Sequence, residues 1–160
     1  MKILVNSLII SKLEYNLEIL YNLPQNSLEK LEKMLRKCVR LIFKLRKREN
    51  VDNYMKQLNW LPISERIKYK SLILIHNSII NKTPIYINSL FQINEREIFQ
   101  TRQTTMNNIN IKKPISELHR RAISVYGPQI YNSIPFVIRQ SKNFKEKLKI
   151  HLLQEYYKDQ

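Results

Sequence analysis

The sequence predicts an all-α fold, an irregular bundle of roughly five to seven helices with a long polar loop near residues 92–117. Apolar residues recur at helical spacing in the two longest patterned stretches. In Leu28–Arg48, the positions Leu28, Leu31, Leu35, Cys38, Ile42 and Leu45 alternate spacings of three and four, which is one side of a helix. In Ile63–Lys82, the positions Ile67, Leu72, Ile73, Leu74, Ile75, Ile79 and Ile80 make the middle apolar over most of its circumference. Residues 1–21 are apolar nearly all round, as a helix covered on several sides would be.

In chain order, residues 1–21 read as a buried helix ended by Pro24, whose apolar surface expects a covering from elsewhere. Asn6, Ser7 and Lys12 interrupt the apolar run and no small-residue cleavage site follows, so it does not read as a secretory signal. It is also too short and too polar to span a bilayer. The Leu28–Arg48 helix follows, with Asn26 and Glu29 spaced like a capping box. Glu29 and Glu32 stand four residues before Lys33 and Arg36, the orientation that favours intrahelical pairs. Glu49–Asn53 reads as a polar turn, with Asp52 capping a short helix over Asn53–Asn59. Trp60-Leu61-Pro62-Ile63 forms a corner with an aromatic anchor, and Pro62 suits the first turn of the Ile63–Lys82 helix. His76 sits on that apolar helix and reads as a core histidine.

Thr83-Pro84 opens a short helix to Phe91. Residues 92–117 lose apolar periodicity and read as a surface loop with extended pieces near Ile109–Ile111. Alternation over Arg120–Tyr126 suggests a short strand. Gly127-Pro128 then starts a single turn, Gln129–Ser133, closed by Pro135, and Ser141 caps a last helix to Tyr157. The expected division is a helical domain over 1–91, a linker over 92–117 and a C-terminal helical extension over 118–160.

Charge is the strongest compositional signal. The 160 residues carry a formal net charge of +15, which implies affinity for polyanions and says nothing of fold. Lys30, Lys33, Lys37, Arg40 and Lys44 recur opposite the apolar stripe, a cationic rail about 21 Å long at the usual helical rise. Arg46, Lys47 and Arg48 extend it. Beyond the two glutamates of its first turn, nothing acidic on that stretch offsets it. Nucleic acid is the commonest polyanion such a face meets, so Lys30, Lys33, Lys37, Arg40, Lys44, Arg46 and Arg48, with Arg66, Lys68 and Lys70 as a second group and Arg120 and Arg121 as a third, are the candidate backbone contacts. A solvated outer face is the plain alternative. A membrane surface fits less well, because the apolar side of the rail helix lacks interfacial aromatics apart from Phe43.

Several chemistries find no support. Asp occurs only at Asp52 and Asp159, so the clustered carboxylates of two-metal phosphoryl transfer are missing. One Gly argues against a glycine-rich phosphate loop. One Cys excludes an internal disulfide and a cysteine-based zinc cage, fits an intracellular protein, nuclear or cytoplasmic and not secreted, and at Cys38 lies on the core stripe. The three histidines are too scattered for a metal site, and the serines lack a nucleophile elbow. Neither a cofactor nor a catalytic residue is expected.

A further set of runs lies in a recognisable order: Leu4-Val5-Asn6-Ser7-Leu8 with Ser11-Lys12-Leu13-Glu14-Tyr15, then Leu20-Tyr21-Asn22-Leu23-Pro24. Leu58-Asn59-Trp60-Leu61-Pro62-Ile63 with Glu65-Arg66-Ile67 follows, then Thr83-Pro84 with Tyr86. Arg121-Ala122-Ile123-Ser124-Val125-Tyr126-Gly127-Pro128 leads through Tyr131-Asn132-Ser133-Ile134-Pro135 to Ile138-Arg139, and Phe144 with its Lys-rich helix completes the series. Over nearly its whole length the chain thereby resembles the region after the polymerase palm in non-long-terminal-repeat retrotransposon reverse transcriptases of the jockey kind. The resemblance implies a thumb-like helical segment and a C-terminal extension. In such enzymes the thumb holds the template–primer duplex by its backbone while the palm does the chemistry. The palm's paired aspartates, the endonuclease and a zinc knuckle are absent, and Tyr131 stands where Trp is frequent. The resemblance therefore implies a truncated, noncatalytic piece of an RNA-directed DNA polymerase. It would contact a DNA, RNA or hybrid duplex backbone and the missing palm and fingers. The alternative is a protein-interaction module that docks through its apolar N-terminal helix and has no nucleic-acid role.

Overall fold

A computed structural model describes residues 1–21, 23–80, 82–91, 93, 108–120 and 122–158. Among them the chain is all-α, as expected: no strand forms, and the one extended feature is an isolated antiparallel bridge between Ile93 and Ile109. Residues 92 and 94–107 of the expected polar loop, and Arg121, lie outside the described residues. The chain divides into two compact units. Residues 1–68 with 151–160 form the first and residues 69–150 the second, a division that does not follow the polar segment over 92–117.

The first unit opens with α1 (Lys2–Val5), a π-helical turn (Asn6–Ile10), α2 (Ser11–Leu13) and a 3₁₀ turn (Leu17–Leu20). The single buried helix expected over 1–21 is thus replaced by a segmented one. Ser7 and Ser11 hydroxyls donate back to the Leu4 and Ser7 carbonyls, and such back-bonding bends a helix. Asn16, left-handed at φ 53°, then turns the chain. Only one side of the segment is buried, through Val5, Ile10 and Leu17, while Ile3 and Leu8 are 82% and 63% exposed.

The long helix α3 (Gln25–Phe43) packs Leu35, Cys38 and Val39 into the core, with Leu28, Leu31 and Ile42 at its margin. Its expected capping box does not form: the helix starts from Pro24 with no side-chain cap. It ends at Lys44, left-handed at φ 55°, where the N–H groups of Lys44 and Leu45 both donate to the Arg40 carbonyl. This is a Schellman-type end built without the usual glycine. The short helix α4 (Asp52–Gln57) takes Val51 rather than Asp52 as its cap position and ends similarly at Asn59, also left-handed.

The Trp60-Leu61-Pro62 corner is buried and leads into α5 (Ile63–Ile79). The start of α5 is capped from a distance: the Glu32 carboxylate on α3 accepts the Ile63 N–H at 2.5 Å. Glu32 therefore does not make the expected pair with Arg36, which reaches Asp52 at 3.0 Å instead. Burial pushes the Glu32 carboxyl up, against its backbone hydrogen bonds.

The second unit begins within α5 at Tyr69 and continues through α6 (Ile85–Asn88), α7 (Glu117–Arg120), α8 (Ile123–Ser133), α9 (Phe136–Arg139) and the first turns of α10 (Phe144–Lys158). Its buried residues include Leu72, Ile75, Phe91, Val125, Tyr126, Tyr131, Ile134, Phe144 and Leu148. The strand expected over Arg120–Tyr126 is not formed. Helix α8 starts at Ile123 and runs straight through Gly127-Pro128. Packing explains this: a Cβ on Gly127 would stand 3.0 Å from the Ile75 Cδ1 and 3.2 Å from the Phe91 Cε1, so the missing side chain admits both neighbours. The Asn132 amide holds the segment around Ile109 by both ends, its Oδ1 accepting the Ile109 N–H and its Nδ2 donating to the Ile109 carbonyl, each at 2.9 Å. Ser141 donates to the Ile138 carbonyl and does not cap α10, which begins three residues later.

Candidate nucleic-acid interface

Helix α3 sets the geometry of the rail. With Leu35, Cys38 and Val39 buried, the opposite side must face solvent, and Lys30, Lys33, Lys37 and Lys44 are all exposed. Lys33 has an acidic neighbour, Glu29 at 3.8 Å. That pair is solvated on both sides and worth little. Among the described residues no carboxylate lies within ion-pairing distance of Lys30, Lys37 or Lys44. Arg46, Lys47 and Arg48 are exposed in the turn beyond. There the Glu49 carboxylate accepts the Arg46 backbone N–H and fixes the turn. Arg40 is the exception on the rail: it is half-buried, and its Nε is hidden from solvent.

Two features of this face escape a reading of charge alone. Met34 and Leu41 are about half exposed and alternate with Lys30, Lys37 and Lys44 at spacings of three and four. Neither residue belongs to the apolar stripe read from the sequence. The rail is therefore cationic with apolar patches, a surface that can hold phosphates and also lie flush against sugar.

The second candidate group does not survive as a group. Arg66 is a structural residue rather than a phosphate contact, only 6% exposed. Its guanidinium pairs with Glu14, its Nε donates to the Leu61 carbonyl at 2.7 Å, and it lies 5.3 Å over the Trp60 ring. Desolvation lowers its pKa while Glu14 holds it charged. The corner motif thus folds around an arginine, which the sequence pattern showed only as a basic helix start. Lys68 is half-buried between Glu65 at 3.8 Å and Glu155 at 3.9 Å, so its charge is already matched. Lys70 belongs to the second unit, is half-buried and is engaged within the protein. Arg120 is exposed on α7 and pairs with Glu117 at 3.5 Å.

His76, expected in the core, is half-buried and held by its neighbours. Its ring stacks on Phe144 at 3.8 Å between centroids, and its Nδ1 lies 3.1 Å from the Tyr131 hydroxyl. Desolvation, with the Lys82 charge, lowers the His76 pKa and favours the neutral ring in this hydrogen bond. Burial pushes Tyr131 up to about 12. No described helix is long and apolar enough to cross a membrane. No family model, curated protein or solved structure matches the chain.

Proposed function

We propose that the chain binds the nucleic-acid backbone without regard to base sequence, as a noncatalytic thumb and C-terminal portion of a retroelement RNA-directed DNA polymerase. One observation supports this most: Lys30 and Lys37 on α3 and Lys44 at its end are exposed and without an acidic partner among the described residues. A helix whose outer charge served only solubility would gain by interspersing both signs. Arg46, Lys47 and Arg48 lengthen the rail. Arg66 and Lys68 contribute to the fold and leave the interface to α3. The account asks no chemistry of this chain.

Charge reversal tests it. K33E/K37E should weaken binding to two duplexes of unrelated sequence by the same factor, about tenfold or more. Unequal losses would point to base readout, and no loss would remove the rail from the interface. A second reading rests on the N-terminal segment, where Ile3, Leu4 and Leu8 form an exposed apolar face. On that reading the chain is a docking module. I3S/L8S would then abolish association with a partner protein and leave nucleic-acid affinity intact.

A further inference from the structure

The second unit holds a pocket of about 320 Å³ where the end of α5 meets the start of α10. It is lined by His76, Asn77 and Lys82 on one side and by Lys142, Asn143 and Lys145 on the other, with Glu146 its single carboxylate. We propose that this pocket binds a phosphate group, either a free phosphate monoester or a phosphodiester of a nucleic-acid strand. The proposal does not depend on the rail of α3.

Charge is the first argument. Lys82, Lys142 and Lys145 are exposed, and among the described residues none has a carboxylate within ion-pairing distance. Three lysines against one glutamate leave the pocket cationic. Lys82 already acts on the pocket floor, since its charge helps keep the His76 ring neutral. Donors are the second argument. The Asn77 and Asn143 amides line the space, and α10 begins at Phe144, so the first backbone N–H groups of a 15-residue helix open toward this end without intrahelical acceptors. Size and floor are the third. The volume equals about ten liquid waters, ample for a tetrahedral oxyanion with part of its ester. The stacked His76 and Phe144 rings give a firm base that cannot fill the space themselves. The three lysines come from positions sixty residues apart in sequence, which is why no local motif announces them.

The test uses the full chain, ¹⁵N-labelled, titrated with inorganic phosphate at constant ionic strength and, in parallel, with chloride. Saturable amide shifts centred on Asn77, Lys82 and residues 144–146, with half-saturation in the millimolar range, are the expected result. K82Q/K142Q/K145Q should weaken that affinity about tenfold while its remaining amide spectrum stays superimposable, and K33E/K37E should leave it unchanged. A short oligothymidylate without terminal phosphates and a nucleoside monophosphate separate the two sources. Shifts of the same amides by the oligomer assign a phosphodiester, and shifts by the monophosphate alone assign a monoester. Phosphate shifts no larger than those of chloride, or a triple variant that binds as the wild type does, would overturn the proposal.

Discussion

In the first unit a guanidinium and a carboxylate are held against the core: Arg66 pairs with Glu14 beneath Trp60, with Glu32 close by at the start of α5. The second unit is built round an uncharged pair, the half-buried His76 imidazole and the buried Tyr131 phenol, and its own buried guanidinium, Arg139, lies 5.5 Å over the Tyr131 ring. The contrast shows how one chain can manage an excess of cations. Arg66 enters the core with a counter-ion and with a carbonyl that accepts its Nε–H, whereas Arg139 is buried against aromatic faces. A titratable ring enters by giving up its charge. Backbone strain divides in the same way. Among the described residues the three left-handed non-glycine ones, Asn16, Lys44 and Asn59, all belong to the first unit.

Breaking the ion pair should have the largest effect. Glu14→Ala leaves Arg66 buried without a compensating charge and should cost about 2–4 kcal/mol, read as a lower denaturation midpoint. A double variant, Glu14→Leu with Arg66→Met, should recover much of that loss. If the single variant is as stable as the wild type, the core does not depend on the pair.

The neutral centre should lose stability on acidification, because its ring must then take up a charge. The His76 pKa is lower in the folded chain than in the unfolded one, so below about pH 6.5 the unfolded state binds more protons. The stability this ring contributes is fully present above that pH and is lost as pH falls through the folded value. Thermal melts between pH 7.5 and 5 should show this decline, and His76→Phe should flatten that part of it. Tyr131→Phe removes the hydroxyl hydrogen-bonded to the ring and should cost about 1 kcal/mol at neutral pH.

The smallest effect concerns strain. Lys44 pays for a left-handed conformation that glycine adopts freely, so Lys44→Gly should stabilise the first unit by about 1 kcal/mol. The same change removes one rail cation, and the two consequences separate cleanly: a higher melting temperature with slightly weaker nucleic-acid binding. A lower melting temperature would mean that the lysine stem packs usefully at the end of α3.

What could be read from the sequence follows the same physics. Helix α3 was legible because its two faces differ at every turn, so period alone places Leu35 and Cys38 inside and the lysines outside. The core placement of Cys38 was legible from its apolar neighbours on the helix, whereas His76, read the same way, is only half-buried. The burial of Arg66 was not, because its counter-ion lies 52 residues away in a segment read as apolar nearly all round. Helix α8 was hidden by Gly127-Pro128, which is local punctuation for a break. The close approach of Ile75 and Phe91 that Gly127 permits is a tertiary fact. The π-turn over Asn6–Ile10 carries no sequence signature, so the segmented, half-exposed N-terminus was read as one buried helix. The cap of α5 by Glu32 displaced the intrahelical pair that spacing favoured.

The most direct test of the cationic face is the salt dependence of duplex affinity for the full chain. If about five rail cations engage phosphates, log affinity should fall against log salt with a slope near −4.5, and K33E/K37E should reduce that slope by about two. A slope near zero, or one that the double variant leaves unchanged, would contradict the account.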